Sequence, residues 1–511
     1  MFLFLLFLKI DFRFAENIYC CGDDHDYFLH AETIAIDGDL DYSNQLKGLE
    51  DRRFNKNGKI APIGFIGSGI LSAPFLFIGN LLDNFFGNEG LMNYKILLYS
   101  FAPIFYYFLT YKLIISSFKI LKVSFKKLDL FLILTGSGVI YYAFERFSMT
   151  HVYEVFTGTL IFYFCAKYYS SISIDNKSAF LIPISILLGI LVRWVNYYFL
   201  FIPLIFQYLY KKKINNNFPL TRNKYFYFSF FASILTFLLH SKTLYGRYTF
   251  DPRFVYNSGL SISNLGSNVI SERTSFLANY FENIRIIIFS QEFGSLYFTP
   301  IIPVSLIMVT YYILKNAHYR KIIPLILMLC YFQVFSIYYV WQSSGSSYGL
   351  RYLYSLIPLS VFAYYGIKED VKISFVHNTL LFLSLFSILS VLFFETTEST
   401  QLSLSNVTNA WGQGSRYAQR NYLSGVLESF ITLEAYLKIF TTSFLGAIVF
   451  KILIFSLSIS SVNKILLDLG LPVGNDDFQI YLLQLDQIGI DKFILVILIG
   501  VLLVRFFYKK V

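Results

Sequence analysis

Apolar stretches long enough to cross a hydrocarbon layer recur along this chain, each closed by a short polar island. They fall at about 62–82, 94–118, 128–144, 152–170, 179–210, 225–244, 296–314, 322–340, 350–366, 374–394, 436–460 and 491–508. A crossing helix needs roughly 20 mainly apolar residues, so the pattern predicts an all-α polytopic membrane protein with about 11–13 transmembrane helices. The stretch 179–210 is too long for one crossing, and Arg193 interrupts it near the middle, where an isolated charge costs roughly 2.5–3.5 kcal/mol. Two short helices meeting at Arg193–Asn196 are expected, each about 24 Å long at 1.5 Å per residue. Met1–Leu8 is apolar but too short to span. It lacks the basic start and the small-residue cleavage site of a signal peptide, and reads either as a truncated first helix or as a chain start placed inside one.

The bases between these stretches set the orientation. Lys119, Lys122, Lys126 and Lys127 form one cluster, and Lys211, Lys212, Lys213, Arg222 and Lys224 a second. Lys315, Arg320 and Lys321 form a third, Lys368 and Lys372 a fourth. With 179–210 crossing twice, all four fall on one side, which the positive-inside rule makes the cytoplasm. The first loop, about 11–61, lies opposite them only if 62–82 does not cross. That stretch holds Pro62, Pro74 and four glycines, and a helix lying in or dipping into the outer interface fits it. Glu145–His151, Arg193–Asn196, Tyr245–Arg253, Gln291–Gly294 and Trp341–Arg351 then share the outer face with the first loop. The expectation is one outward-facing, membrane-embedded cavity lined by carboxylates and cations. Residues 1–394 form this module. Residues 395–511 form a C-terminal membrane region with a polar outer loop and segments lying on the membrane surface.

Composition narrows the class further. With 56% apolar and 14% charged residues the chain cannot dress a soluble surface. Its net charge of +10 is spread over short clusters suited to anionic headgroups, so no nucleic-acid partner is read from it. Cys20, Cys21, Cys165 and Cys330 give neither a disulfide framework nor a zinc spacing. The acids are the anomaly. Asp11, Glu16, Asp23, Asp24, Asp26, Glu32, Asp37, Asp39, Asp41, Glu50 and Asp51 place about a third of the 32 acidic residues in about a tenth of the length, a concentration that marks a candidate site. Asp37, Asp39 and Asp41 have the spacing of a Ca²⁺ or Mg²⁺ site, although Asp-Gly-Asp is favoured in turns and the turn is the stronger reading. His151 and Glu154 have a metal-compatible helical spacing, more often an interface contact. Arg193 has snorkelling to the outer headgroups as its bland alternative. No cofactor is read, and a divalent cation is left open.

The stretch Gly22-Asp23-Asp24-His25-Asp26-Tyr27, then Asp37-Gly38-Asp39-Leu40-Asp41 and Ala61-Pro62-Ile63-Gly64 through Ala73-Pro74-Phe75, resembles the opening of bacterial GT-C type glycosyltransferases. These are the polyprenyl-phosphate-sugar-dependent enzymes that include aminoarabinose transferases and protein O-mannosyltransferases. Leu191-Val192-Arg193-Trp194-Val195-Asn196, Phe289 through Pro300 and Trp341 through Tyr352 are similar to later parts of the same group, so the resemblance covers roughly residues 20–365. The family's first-loop pattern commonly reads Gly-Asp-Glu-Pro-His-Tyr. Here Asp24 replaces Glu and keeps its charge, while His25 and Asp26 depart from it.

The resemblance implies a GT-C fold in a bacterial plasma membrane, with an outward-facing site and inverting transfer of a sugar from a polyprenyl-phosphate donor to a hydroxyl of a glycan, lipid or protein. A hydroxyl is a poor nucleophile at neutral pH, so a carboxylate must take its proton; Asp23 is the candidate base. The departing phosphate gains charge, and Arg193 and Arg351, with Lys59 behind them, are the candidate partners, arginine offering a planar fork to phosphate oxygens. Asp24 completes the substrate-binding set. The competing class is a transporter or lipid flippase, with its polar site near the midplane between repeats.

Overall fold

The computed structural model describes residues 23–46, 59–86, 94–144, 146–214, 218–252, 280–290, 294–315, 322–341, 348–371 and 374–393, with isolated positions at 255 and from 427 to 468. Helix dominates, and no strand occurs among the described residues. The elements that frame the site are α1 (Asp23–Glu32), α2 (Gly67–Phe86), α3 (Tyr94–Ile120), α4 (Lys127–Phe144), α5 (His151–Ser170), α6 (Asn176–Val192), α7 (Trp194–Leu209) and α8 (Lys224–Tyr245). After them come α9 (Tyr280–Phe289), α10 (Ile301–Lys315), α11 (Ile322–Trp341), α12 (Ile357–Val371) and α13 (Ser374–Phe393). Among the described residues α3, α4 and α13 are long and apolar enough to cross a membrane, and α6, α7, α10 and Ile322–Ser336 of α11 are apolar but shorter. The shortfall from eleven or more full spans has local causes. α6 and α7 divide at Arg193, whose backbone is extended (φ −165°, ψ 141°). α10 starts at Ile301, not near 296, because Thr299-Pro300 separates it from the turn Ser295–Phe298. The expected helices at 436–460 and 491–508, the loop before them and Met1–Leu8 lie outside the described residues.

Side-chain caps fix several helix starts by satisfying backbone N–H groups that have no helical partner. The Asp175 carboxylate accepts from Ser178 N (3.0 Å) at α6, and Asn223 accepts from Tyr225 N (2.9 Å) at α8. Asp83 near the end of α2 accepts from Tyr94 N (2.6 Å) and Lys95 N (2.9 Å), tying α2 to the start of α3. The two helices run antiparallel from there: Phe75 packs on Phe105 (5.4 Å between ring centres), and the Tyr106 hydroxyl donates to the Leu71 carbonyl (3.0 Å). Tyr106 also meets Phe156 of α5 (4.7 Å), and Phe162 of α5 stacks on Phe362 of α12 (4.2 Å). Aromatic rings of this size carry much of the packing between helices.

The bundle has two chemically different ends. Lys213 donates to the Lys122 carbonyl (3.2 Å), which joins the turns 119–127 and 211–213. His377 bonds Asp129 (2.9 Å) and lies 3.2 Å from Lys368 Nζ, which adds the start of α13 and the end of α12. Three of the basic clusters therefore meet at one end. α2 does not go there. Its first residue, Gly67, packs on the Leu191–Val192 backbone at the far end of α6, so closely that a Cβ would lie 2.4 Å from it. Its other end meets the start of α3, whose opposite end carries Phe118 against Tyr365 (4.8 Å) and then Lys119.

α1 is seated on this far end by one histidine. His30 Nε2 donates to the Gly64 carbonyl (3.2 Å), which can only accept, so Nδ1 is left to accept from the Tyr42 hydroxyl (2.7 Å). Tyr245 of α8 donates to the same carbonyl (2.9 Å). Gly64 has φ +106°, a conformation that suits glycine. Burial pushes His30 down from 6.5 to about 3, outweighing the hydrogen bond to the Gly64 carbonyl, which favours the protonated ring. The unfolded chain takes up a proton below about 6.5 that the folded one refuses, so this contribution to stability is complete above that pH and is lost as pH falls towards 3. Unfolding followed in detergent should show a midpoint that declines across this window, and His30→Gln should flatten its upper part while lowering the plateau.

Candidate functional site

Asp23 and Asp24 occupy the first turn of α1, where the helix dipole favours negative charge. Each carboxylate meets an arginine from a distant loop. Arg351 Nη1 donates to Asp23 Oδ2 (2.7 Å), and Arg146 Nη2 donates to Asp24 Oδ2. Ser148 donates to the Asp24 carbonyl and meets Tyr99 (2.9 Å), so the loop joining α4 to α5 grips α1 twice. Arg351 opens the 3-10 turn Arg351–Leu356, just after Gly349 at φ +60°.

Arg193 lies deeper. Its Nη1 donates to Glu154 Oε1 (3.0 Å) and lies 3.4 Å from His151 Nδ1, and Glu154 also receives the Thr150 hydroxyl (3.1 Å). The Tyr352 ring bridges this pair to the outer one: the Arg193 guanidinium carbon is 4.3 Å from the ring centre and that of Arg351 5.4 Å. Cation–π contact of this kind attracts by about 2 kcal/mol when desolvated. The chain of contacts runs from a half-open carboxylate to a closed one, with exposures of 37% at Asp23, 12% at Arg351, 4% at Arg193 and none at Glu154. Burial tends to raise the Asp23 pKa, but Arg351, then Arg193 and Arg146, outweigh it and hold the carboxyl below its usual range.

Of the residues singled out from sequence, Asp23, Asp24, Arg193 and Arg351 therefore stand together. Lys59 does not join them. It is exposed, and its ammonium donates to the Thr243 carbonyl (2.6 Å) near the end of α8. Arg193 does not snorkel outward but is sealed inside by Glu154 and Tyr352. Asp37, Asp39 and Asp41 hold their own turn: Asp39 accepts from Asp41 N (3.0 Å), Asp41 from Ser43 N (3.0 Å) and Asp37 from Asn44 (3.2 Å) and Gln45. His151 and Glu154 both face the Arg193 guanidinium, and among the described residues no group of three His, Cys, Asp or Glu side chains could hold an ion. Residues 291–293 and 342–347 of the expected outer islands lie outside the described residues.

Sequence reasoning passed over Arg146, Glu154 as an arginine holder, and Tyr352. Arg146 was within reach, since it sits in the polar island Glu145–His151; Tyr352 carries no local signal in so aromatic a chain. No family model, curated protein or solved structure matches this chain.

A buried pair is costly to break one-sidedly, because the remaining charge is stranded. Arg193→Met should destabilise the protein by about 3–5 kcal/mol, with Glu154→Gln alone also destabilising, whereas the double variant should recover most of the loss. Chemical unfolding of the purified variants measures this, and additive losses would show that the two side chains do not act as a pair.

Proposed function

We propose that this protein is an integral membrane glycosyltransferase of GT-C type, inverting, which moves a sugar from a polyprenyl-phosphate donor to a hydroxyl acceptor on the extracytoplasmic face. The observation that carries this reading is Asp23, a partly exposed carboxylate bonded to Arg351 within an arginine-rich group. The end holding the lysine turns faces the cytoplasm on this reading, by the positive-inside rule. The opposite end, with α1 and the arginines, then faces outward, consistent with α2 keeping clear of the lysines. Exposed apolar residues on α8, such as Phe228, Phe231 and Leu235, face lipid chains.

The chemistry is balanced in charge. Asp23, Asp24 and Glu154 offset Arg351, Arg146 and Arg193, and the donor is a phosphodiester with one negative charge. As the acceptor oxygen bonds the sugar carbon, its proton passes to Asp23. The bond from that carbon to the phosphate oxygen breaks, leaving its electron pair on the phosphate. One unit of negative charge thus moves from Asp23 to the leaving group, with no change in the sum. A positioned base contributes about 10² to 10⁴ in rate, and a well-aimed cation on the phosphate about 10² to 10³. The acceptor, whether glycan, lipid or protein, enters at the exposed side of Asp23.

A transporter or flippase is the second reading, favoured by one feature: the Arg193–Glu154 pair is enclosed between helices as a midplane substrate site would be. The two part company in sealed vesicles, where a transporter moves substrate without consuming a lipid-linked sugar. For the enzyme, Asp23→Asn should fold, insert and bind donor, yet lose transfer by about 10² or more. Mass spectrometry of cell-envelope glycans with and without the protein identifies the sugar to assay, and undiminished transfer by the Asn variant would remove Asp23 from the mechanism.

A further inference from the structure

The end of the bundle that carries the lysines has one backbone feature that regular helix does not explain. α3 closes with Lys122 N–H donating to the Lys119 carbonyl (3.2 Å) and Val123 N–H to the Phe118 carbonyl (2.9 Å). These are the paired bonds of a helix cap in which the first donor is left-handed and usually glycine. Here it is lysine, at φ 52°, and among the described residues it is the one non-glycine with positive φ. A Cβ makes this conformation costlier, so the position keeps a side chain against the preference of its backbone. That side chain is exposed. The positive-inside rule asks for bases somewhere in such a turn, but not for one in the place that suits glycine.

Lys122 stands among other cations. Lys213 donates to its carbonyl (3.2 Å), Lys119 and Lys127 lie within electrostatic reach of Lys112, and Lys126 within reach of Lys368. The acid of this turn is Asp129, and His377 occupies it (2.9 Å). Lys119, Lys122, Lys126 and Lys127 are exposed, with no carboxylate at ion-pair distance among the described residues. Like charges gathered in this way repel one another until an anion comes between them. Exposed apolar side chains stand beside them. Leu128 follows Lys127 directly, and Ile172 lies in the turn from α5 to α6, at the same end, where Tyr169 accepts from Gln207 just ahead of Lys211. A soluble acidic protein or a nucleic acid matches the charge but not these apolar neighbours. A phospholipid matches both.

We infer that the turn 119–127, together with Lys213, binds the headgroup phosphate of an anionic phospholipid, with Lys122 as its exposed contact and Leu128 where the acyl chains begin. This rests on the membrane reading within the proposed function, not on glycosyl transfer, and it uses none of the residues around Asp23. The phosphate neutralises charge between the turn that follows α3 and the turn that follows α7, which Lys213 already bridges. A lipid bound there holds the two turns together and stabilises the folded chain by mass action.

Thermal unfolding and native mass spectrometry of the purified full chain in dodecyl maltoside test this. Dioleoylphosphatidylglycerol is the probe and dioleoylphosphatidylcholine its zwitterionic control, with inorganic phosphate and polyglutamate as lipid-free anions. Expected are retention of phosphatidylglycerol and a raised unfolding midpoint, both weakened as salt rises from about 0.1 to about 1 M. Lys122→Gly and Lys122→Asn both suit a left-handed backbone. Without lipid they should unfold at or above the wild-type midpoint, yet bind phosphatidylglycerol about fivefold more weakly. Lys122→Arg should bind as the wild type does. A lysine with a merely structural role would not separate stability from binding in this way, and lower midpoints for both neutral variants without lipid would show that role and overturn the site. Wild-type affinity in both neutral variants overturns it as well, because the lipid is then held elsewhere. So does equal retention of phosphatidylcholine, or binding of phosphate or polyglutamate in place of the lipid, which assigns the patch to a soluble anion. In each of these cases the proposed function still stands or falls on transfer by Asp23→Asn.

Discussion

A guanidinium taken out of water must find a carboxylate, and this requirement organises the whole site end of the molecule. Moving one ion from water into a protein interior costs several kcal/mol even after relaxation, and Glu154 offsets that cost for Arg193, which is 4% exposed. The same rule acts on Arg146 and Arg351, which reach from separate loops to consecutive residues of α1. The acids at the front of the chain are thereby bound to two distant segments, and α1 is located by charge as much as by packing. His30, Tyr42 and Tyr245 hold its other end through the Gly64 carbonyl.

Irregular backbone supplies the positions that regular helix could not. Arg193 is extended between α6 and α7, and Arg351 begins a 3-10 turn after a left-handed glycine. Backbone of this kind leaves carbonyls and N–H groups without helical partners, which is tolerated only where protein or water satisfies them. Asn196 meets that need at the first break, its side-chain amide donating to the Gly189 carbonyl (2.9 Å). At the second, Tyr142 and Tyr354 both reach the Tyr348 carbonyl. The site lies where the helices stop, which lets side chains from several helices converge on one place.

Much of this was readable in the chain, for identifiable reasons. The helices at 94–118, 128–144 and 374–394 follow from continuous apolar character, and the structure has them at Tyr94–Ile120, Lys127–Phe144 and Ser374–Phe393. The break at Arg193 was legible because a charge in mid-stretch is expensive. The acid cluster was legible because so many carboxylates in so short a stretch stand out in a chain with few charges. Pairings were not: a sequence gives no distance between Asp24 and Arg146, 122 positions apart. Lys59 was misplaced for the opposite reason, since nearness in sequence to the acidic loop suggested a shared site, while Ile60 and Ala61 carry the chain towards Gly64 and the end of α8. The start of α10 depended on which side of Thr299-Pro300 the helix lay, and proline permits either a first turn or a stop.

Tyr352 shows why the arginines can share one site. Arg193 and Arg351 are like charges, and both approach the same ring, at 4.3 and 5.4 Å from its centre. The π-face offers negative potential without a carboxylate, so it eases the repulsion between them without altering the count of acids. A fourth acid in that place would instead pair with one arginine and leave these groups with a net negative charge. A ring keeps the sum over the described arginines and carboxylates near zero. Among the described residues three arginines stand against three carboxylates, and the pair of Asp23 with Arg351 is the one partly open to solvent.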